Sequence, residues 1–422
     1  MDYNETLKYI HSVSNYFCKP GLERIQKLCQ SLGNPQDKLN FVHVAGTNGK
    51  GSFCAMLSSI LQSAGYKVGT YTSPYILQFN ERISVNGEMI PNGTLAEICE
   101  YVKPLAQEMD DKPTEFELIT AIAFEYFSKQ KCDIVVLECG MGGRYDATNI
   151  ISTPILSVIT GIAFDHQNFL GNTIEKIAFE KAGIIKENVP CLWCGDSEEA
   201  KIVIQEAAQS KSAELLLPNH KNVEIIKTDL SGTVFNFKEY NNLFIPLLSL
   251  YQPFNAANAI TAAEILNKSG FCIEEKNTYD GLKNAKWPAR FEIMNNSPLI
   301  IFDGSHNPHG VVATVESIKH YFKDKKVNVL TGVMRDKDYL FIAKKISEIS
   351  NCVYCITPDN PRALSAEEYC KVFNDLGINS KSFSGVSEAL KYAMQDCKTD
   401  DTPLICMGSL YMYGEIYNII NL

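Results

Sequence analysis

The stretch Phe41-Val-His-Val-Ala-Gly-Thr-Asn-Gly-Lys-Gly-Ser52 runs from a mostly apolar strand into a glycine-rich turn with one lysine, and then opens a helical pattern. Strand, loop and helix in that order make a phosphate-binding loop. Glycines let successive backbone N–H groups turn inward, the helix N-terminus adds positive potential, and Lys50 supplies a charge for β- and γ-phosphates. The stretch departs from the strict G-x-x-x-x-G-K-[ST] form, because Val44 holds the first glycine position and Gly51 follows the lysine where a magnesium-binding hydroxyl would sit. Another hydroxyl has to serve. Ser73, just past the strand expected over Val68–Thr72, is a candidate, although a serine before Pro74 is also an ordinary loop residue.

Working outward, short apolar runs, Gly- or Asp-containing turns and stretches of helical period alternate, which predicts parallel α/β layering. Strands are expected at Phe41–Ala45, Val68–Thr72, Ile134–Glu138 and Ile155–Thr160, with helices from about Ser52, Glu115 and Thr173. Chemistry should gather at the carboxyl ends of these strands. Glu138 ends an apolar run where a carboxylate has no packing reason to be, and hard Mg²⁺ takes such oxygen ligands. His166 follows the next strand. Lys181 continues the apolar stripe of Ile174, Ile177 and Ala178, so it faces inward, where desolvation favours the neutral amine able to react with carbon dioxide; a snorkelling lysine is the plain alternative. Gly140, Gly142 and Gly143 lack a third glycine at Tyr145 and open no helical pattern, which weakens a dinucleotide reading.

Around Val223–Leu250 β-rich segments suggest a hairpin-like addition at a sheet edge, followed by a helix from about Phe254. Asn284–Arg290, with Trp287-Pro288, breaks the helical pattern and reads as a linker. The alternation restarts with strands at Leu299–Phe302, Val327–Val333, Cys352–Thr357 and Leu404–Met407 and helical segments after Gly310, Lys337 and Ser365. The expected architecture is an ATPase-like α/β domain with a parallel sheet and a P-loop over 1–290, then a smaller Rossmann-like α/β domain over 291–422. In the latter, Asp303-Gly-Ser-His306 follows a strand, and Arg290 at the linker is a cation able to close over a nucleotide phosphate.

The 422 residues are 45% hydrophobic and 21% charged, enough apolar content for two or three cores. A net charge of −10 argues against non-specific nucleic-acid binding and requires cations or metal ions at any site for an anionic substrate. No secretory signal or bilayer-spanning run is read in the sequence, so a cytoplasmic protein without a membrane partner is expected. The fourteen cysteines read as small buried hydrophobes; Cys191 with Cys194 and Cys352 with Cys355 sit in strand-like runs whose alternate faces do not chelate one ion.

Taken together, several stretches resemble the folylpolyglutamate synthase and dihydrofolate synthase family of the Mur ligase superfamily. They are Gly46–Ser52, Thr72-Ser-Pro74 with Phe79-Asn-Glu-Arg-Ile83, Leu137–Asn149, Asp165-His166, Glu180–Lys186, Trp287–Glu292, Asp303–Pro308 and Gly408–Tyr411. The resemblance implies an ATP-dependent amide ligase using two Mg²⁺ ions. It implies that Asn48, Gly49, Lys50, Gly51 and Ser52 hold the triphosphate, that Ser73, Glu138 and His166 ligate metal, and that Asn255 or Asn258, Arg290 and Asp303 contact ATP. Lys181 matches the family's carbamylated lysine, His306 would orient glutamate, and Thr114, Glu115, Phe116, Glu117, Tyr145, Asp146 and Ala147 match stretches lining a pterin pocket. The implied partners are dihydropteroate or folates, L-glutamate and ATP, acted on by a monomer.

Two other readings compete. A peptidoglycan ligase of the Mur type would carry a substrate-capturing N-terminal domain, and the 40 residues before Phe41 are too few for one. A P-loop switch would want Asn-Lys-x-Asp, which Asn267-Lys-Ser-Gly270 does not supply; no Gly-x-Ser-x-Gly of a nucleophilic hydrolase occurs either.

Overall fold

The computed structural model describes residues 1–13, 20–323 and 325–421. The chain forms two compact units, Met1–Val223 with Phe254–Ala285, and Glu224–Pro253 with Lys286–Leu422. The first is built on an eight-stranded sheet of β1 (Phe41–Ala45), β2 (Val68–Tyr71), β3 (Ile83–Val85), β4 (Glu88–Met89), β5 (Ile134–Glu138), β6 (Leu156–Ile159), β7 (Cys191–Trp193) and β8 (Leu215–Leu216). Their order is β4-β3-β2-β5-β1-β6-β7-β8, all parallel except the β3–β4 hairpin, which pairs antiparallel at one edge. Every residue of β1, β2, β5 and β6 is buried, as a parallel sheet covered by helices on both faces requires.

Register then places the chemistry. Val44 lies opposite Glu138 on β5 and Ala45 opposite Ile159 on β6, so these three strands end level and their following loops leave from one edge. The first loop feeds the helix Lys50–Ser63, whose N-cap Gly49 is left-handed (φ 86°) and offers no capping side chain. Its N-terminal N–H groups are therefore left to the loop and to whatever binds there. On its other side this helix packs against Glu275–Asn284 at very close range: Ser59 donates to the Gly281 carbonyl at 2.7 Å, and a Cβ on Gly281 would lie 2.4 Å from Ile60 Cα.

The second unit holds a six-stranded sheet and a three-stranded one. The latter is antiparallel, in the order β11-β10-β9, from β9 (Val223–Asp229), β10 (Gly232–Phe237) and β11 (Tyr240–Ile245). This corrects the expectation of a hairpin added to an existing sheet edge. Phe235, Phe237, Leu243 and Ile245 are fully buried, and Thr228 and Ser249 bond Tyr321 and Ser317 of the second unit. These bonds, with Leu248 in that unit's apolar cluster and Leu230 packed against it, tie the segment to the second unit. The larger sheet runs β12-β13-β17-β14-β15-β16, from β12 (Glu292–Asn296), β13 (Leu299–Asp303), β14 (Val327–Thr331), β15 (Ser350–Cys355), β16 (Asn379–Ser382) and β17 (Leu404–Met407). Only β12 is antiparallel. Packing therefore differs from the division expected at 290/291: Glu224–Pro253 and the five residues from Lys286 to Arg290 go with the second unit.

Replacing Gly281 by alanine has to push the two helices apart, and overpacking of this kind costs about 1–3 kcal/mol. Gly281→Ala is expected to lower the unfolding free energy by that amount, read as a lower urea midpoint at an unchanged slope.

Candidate functional site

Three loops meet at the carboxyl edge of the first sheet. The loop after β1 is clipped to the loop after β6: Thr47 and Asn48 donate their N–H groups to the Gly161 carbonyl (2.8 and 3.4 Å), and the Thr47 hydroxyl bonds both N–H and C=O of Ala163. These clips hold Asn48, Gly49, Lys50, Gly51 and Ser52 as a cradle at the helix start. Lys50 Nζ lies 3.6 Å from Glu138 Oε1 and 3.5 Å from the Thr47 carbonyl. Glu138 is buried, and its Oε2 accepts the Ser73 N–H at 3.3 Å, which ties the loops after β5 and β2 together. Asn255 reaches the same loop, its Oδ1 3.0 Å from where a Gly49 Cβ would stand. Asn258 faces His220 instead, at 2.7 Å. The alternative left open by the sequence thus separates, and Asn255 is the residue at the cradle.

Lys181 is buried on the helix Ile174–Ala182, as its stripe demanded, and Nζ donates to the Gly46 carbonyl at 2.7 Å. Burial first, and then the neighbouring Lys50, pull its pKa down to about 7. His166 stands just before the short helix Gln167–Leu170 as its N-cap, with a left-handed backbone (φ 50°), and its ring is half exposed, 4.0 Å from Asp165.

The residues matched to a pterin pocket divide into two sets. Thr114 and Glu117 cap the helix Glu115–Gln130 reciprocally, Glu117 also pairs with buried Arg24 at 3.0 Å, and Glu115 meets His11 at 3.4 Å. Asp146 is buried and accepts the Met141 N–H (2.9 Å), the Thr148 N–H (3.1 Å) and the Thr148 hydroxyl (2.6 Å), so it organises its own loop. Burial nonetheless holds its pKa above the usual carboxylate range. Ala147 is buried, Phe116 packs under Gly140 and beside Tyr71, and Tyr145 is exposed. Phe116 is half-buried. A groove of about 510 Å³ lined by Phe169, Phe179, Lys176 and Glu206, among others, contains none of the expected site residues.

In the second unit Asp303 ends β13 and is saturated from within: it accepts the N–H of Phe291 and Ser305 (both 3.0 Å) and the Thr314 hydroxyl (2.7 Å). Arg290 bonds the Ala289 carbonyl at 3.1 Å and lies across Gly304, while His306 Nδ1 is 2.9 Å from the Gly304 carbonyl. Sequence reasoning missed the Thr47 and Gly161 clip. A threonine inside the glycine loop and a glycine straight after β6 were its only signals.

A phosphate-type cradle, a lysine buried behind it and a second α/β unit define an ATP-dependent ligase. Family models agree, with the Mur ligase middle domain matching residues 44–266 and the Mur ligase glutamate ligase domain matching residues 289–410. The chain is 38% identical over 425 residues to the dihydrofolate synthase/folylpolyglutamate synthase of Bacillus subtilis, covering 98% of each. It superposes on Escherichia coli FolC in complex with DHPP and ADP at a TM-score of 0.88, with 32% identity, 100% of this chain and 98% of that one. The folylpolyglutamate synthase of Mycobacterium tuberculosis complexed with ADP and AMPPCP gives 0.90 at 27% identity, covering 100% and 99%. The chain belongs to the dihydrofolate synthase/folylpolyglutamate synthase family of Mur ligases, whose co-substrate is ATP. No helix among the described residues is long and apolar enough to cross a membrane.

Two outcomes follow for stability. An unfolded lysine titrates near 10.5 and Lys181 near 7, so between those values the unfolded chain holds more protons and stability rises with pH; below 7 the whole penalty is present. In CO₂-free buffer Lys181→Met is expected to raise the denaturant midpoint over wild type most strongly below pH 7, the gap closing towards pH 10. Glu117→Gln weakens the shorter ion pair of buried Arg24, which keeps Asp111 at 3.5 Å, and is expected to cost about 1–3 kcal/mol in urea unfolding, with ATP binding retained.

Proposed function

We propose that this ligase adds L-glutamate to dihydropteroate, to the γ-glutamyl chain of reduced folates, or to both, through an acyl phosphate. The observation that carries the reading is the joint placement of Lys50, Glu138, Ser73 and Lys181 around one glycine loop. Asn48 to Ser52 take the triphosphate, with Asn255 beside Gly49. In the same scheme Arg290 serves the nucleotide, Asp303 acts through the turn it fixes between Phe291 and Ser305, and His306 orients glutamate. The enzyme is taken to work as a cytoplasmic monomer.

The donor set fits magnesium. Glu138 offers a buried carboxylate, Ser73 a hydroxyl one bond away from it through its own N–H, and His166 an exposed imidazole following β6. Hard Mg²⁺ takes oxygen ligands of this kind and commonly completes its shell with waters and phosphate oxygens. Bound there, two Mg²⁺ ions would neutralise the phosphoryl oxygens. Lys50 spreads the remaining charge on the γ-phosphate, so that a carboxylate of the acceptor displaces ADP and the amine of glutamate then displaces phosphate from the acyl carbon. Lys181, with a large neutral fraction near pH 7, is suited to carry a carbamate; that modification turns a cation behind the loop into a carboxylate that orients metal.

ADP release with ATP, Mg²⁺ and L-glutamate, compared for 7,8-dihydropteroate, tetrahydrofolate and no acceptor and confirmed by product mass, tests the reading. Both acceptors are expected to raise turnover, and Lys50→Ala to lower it at least ~100-fold. No rise over the blank with either acceptor would sink it.

A further inference from the structure

The segment between β2 and β3 is pinned by nearly all of its polar residues, with one exception. Glu81 turns its carboxylate onto its own loop and accepts the N–H groups of Ile76, Leu77 and Gln78 at 2.7, 2.9 and 2.8 Å. Asn80 donates to the Ile90 carbonyl and to Asn92, and accepts from the Tyr3 hydroxyl. Arg82 is the exception. Its guanidinium lies over the rings of Tyr75 and Phe79, 5.2 and 5.7 Å from their centroids, and its Nε is buried without a partner. Among the described residues no hydrogen bond or ion pair reaches this side chain.

Such an arrangement has a cost that the chain itself does not offset. A buried unsatisfied donor is unfavourable, and the one acid next to Arg82 in sequence is spent on backbone. Two aromatic rings fix the plane of the fork, which is the geometry that receives two oxygens of one planar anion. Position narrows the anion. The Arg82 carbonyl accepts the Thr72 N–H at 3.0 Å, and the next residue, Ser73, bonds Glu138. Arg82 is therefore one residue removed from the edge where the acceptor's carboxylate has to arrive.

We propose that Arg82 anchors the carboxylate end of the acceptor, with Tyr75 and Phe79 as the platform that orients its fork. The inference rests on the ligase reading above. It assigns Arg82 to a carboxylate rather than to the γ-phosphate of ATP, the other oxyanion that comes to this edge.

Steady-state ADP release by full-length wild type, Arg82→Lys and Arg82→Ala, with acceptor and ATP varied in turn, tests it. Arg82→Lys keeps the charge but loses the fork. It is expected to raise the acceptor KM about tenfold or more and to leave the ATP KM within about twofold. Arg82→Ala is expected to lose more, and free guanidinium ion to restore part of its kcat/KM. By calorimetry, wild type should prefer the acceptor to its carboxamide analogue, and Arg82→Ala should not. An unchanged acceptor KM, or an ATP KM rising by the same factor, overturns the assignment; if Arg82→Ala melts early, the lysine variant alone decides. Failure of the ligase reading looks different, because wild type itself would then show no acceptor-dependent ADP release.

Discussion

Lys50 and Lys181 repel one another across the loop that follows β1, and neither can move away. Lys50 is fixed at the start of a helix beside Glu138, and Lys181 is fixed by its place on a buried stripe, with the Gly46 carbonyl as its contact. Burial of Lys181 first, and that repulsion second, push its ammonium towards neutrality. The level ends of β1, β5 and β6 concentrate these charges, and the helix N-terminus adds to them. An anion bound here relieves what the fold has assembled. A protein with a net charge of −10 can in this way bind polyanionic substrates without a basic surface.

Much of this arrangement could be read in advance, for physical reasons that also explain the gaps. Strands β1 and β5 were placed to the residue because buried parallel strands are short apolar runs with abrupt ends. Lys181 could be read as inward because helical period leaves one position for it. The three-stranded sheet could not be assigned, since its alternation says that one face is buried but not against which core. Asn255 and Asn258 lie three apart on one helix, and the choice between them was made by His220, some 38 positions upstream of Asn258. Asp146 and Glu117 also take part in local capping and ion pairing, which their place in the sequence does not show. Arg82 stood inside a recognised stretch without a role because an unpaired fork is visible only when every neighbour's bonds are known.

The second unit repeats one device of the first with a different outcome. Asp303, like Glu138, ends a buried strand, yet its oxygens are taken up by Phe291, Ser305 and Thr314. That carboxylate fixes the turn carrying Gly304 to His306 and holds the backbone of Phe291 beside Arg290. Strand ends thus supply reactive groups in one unit and a rigid turn in the other, according to how many N–H and O–H groups the following loop offers.

The chain passes between the two units three times, and the helical pair Gln252–Lys268 and Glu275–Asn284 completes the first unit after part of the second has been made. During synthesis the strands β9, β10 and β11 leave the ribosome before the six-stranded sheet of their unit exists. Their buried face, with Phe235, Phe237, Leu243 and Ile245, has to wait through well over a hundred residues of chain. Neither unit can be liberated by one cut. The order of translation therefore obliges the two cores to mature almost together, which makes this fold dependent on an intact, uninterrupted chain in a way that its two-part anatomy conceals.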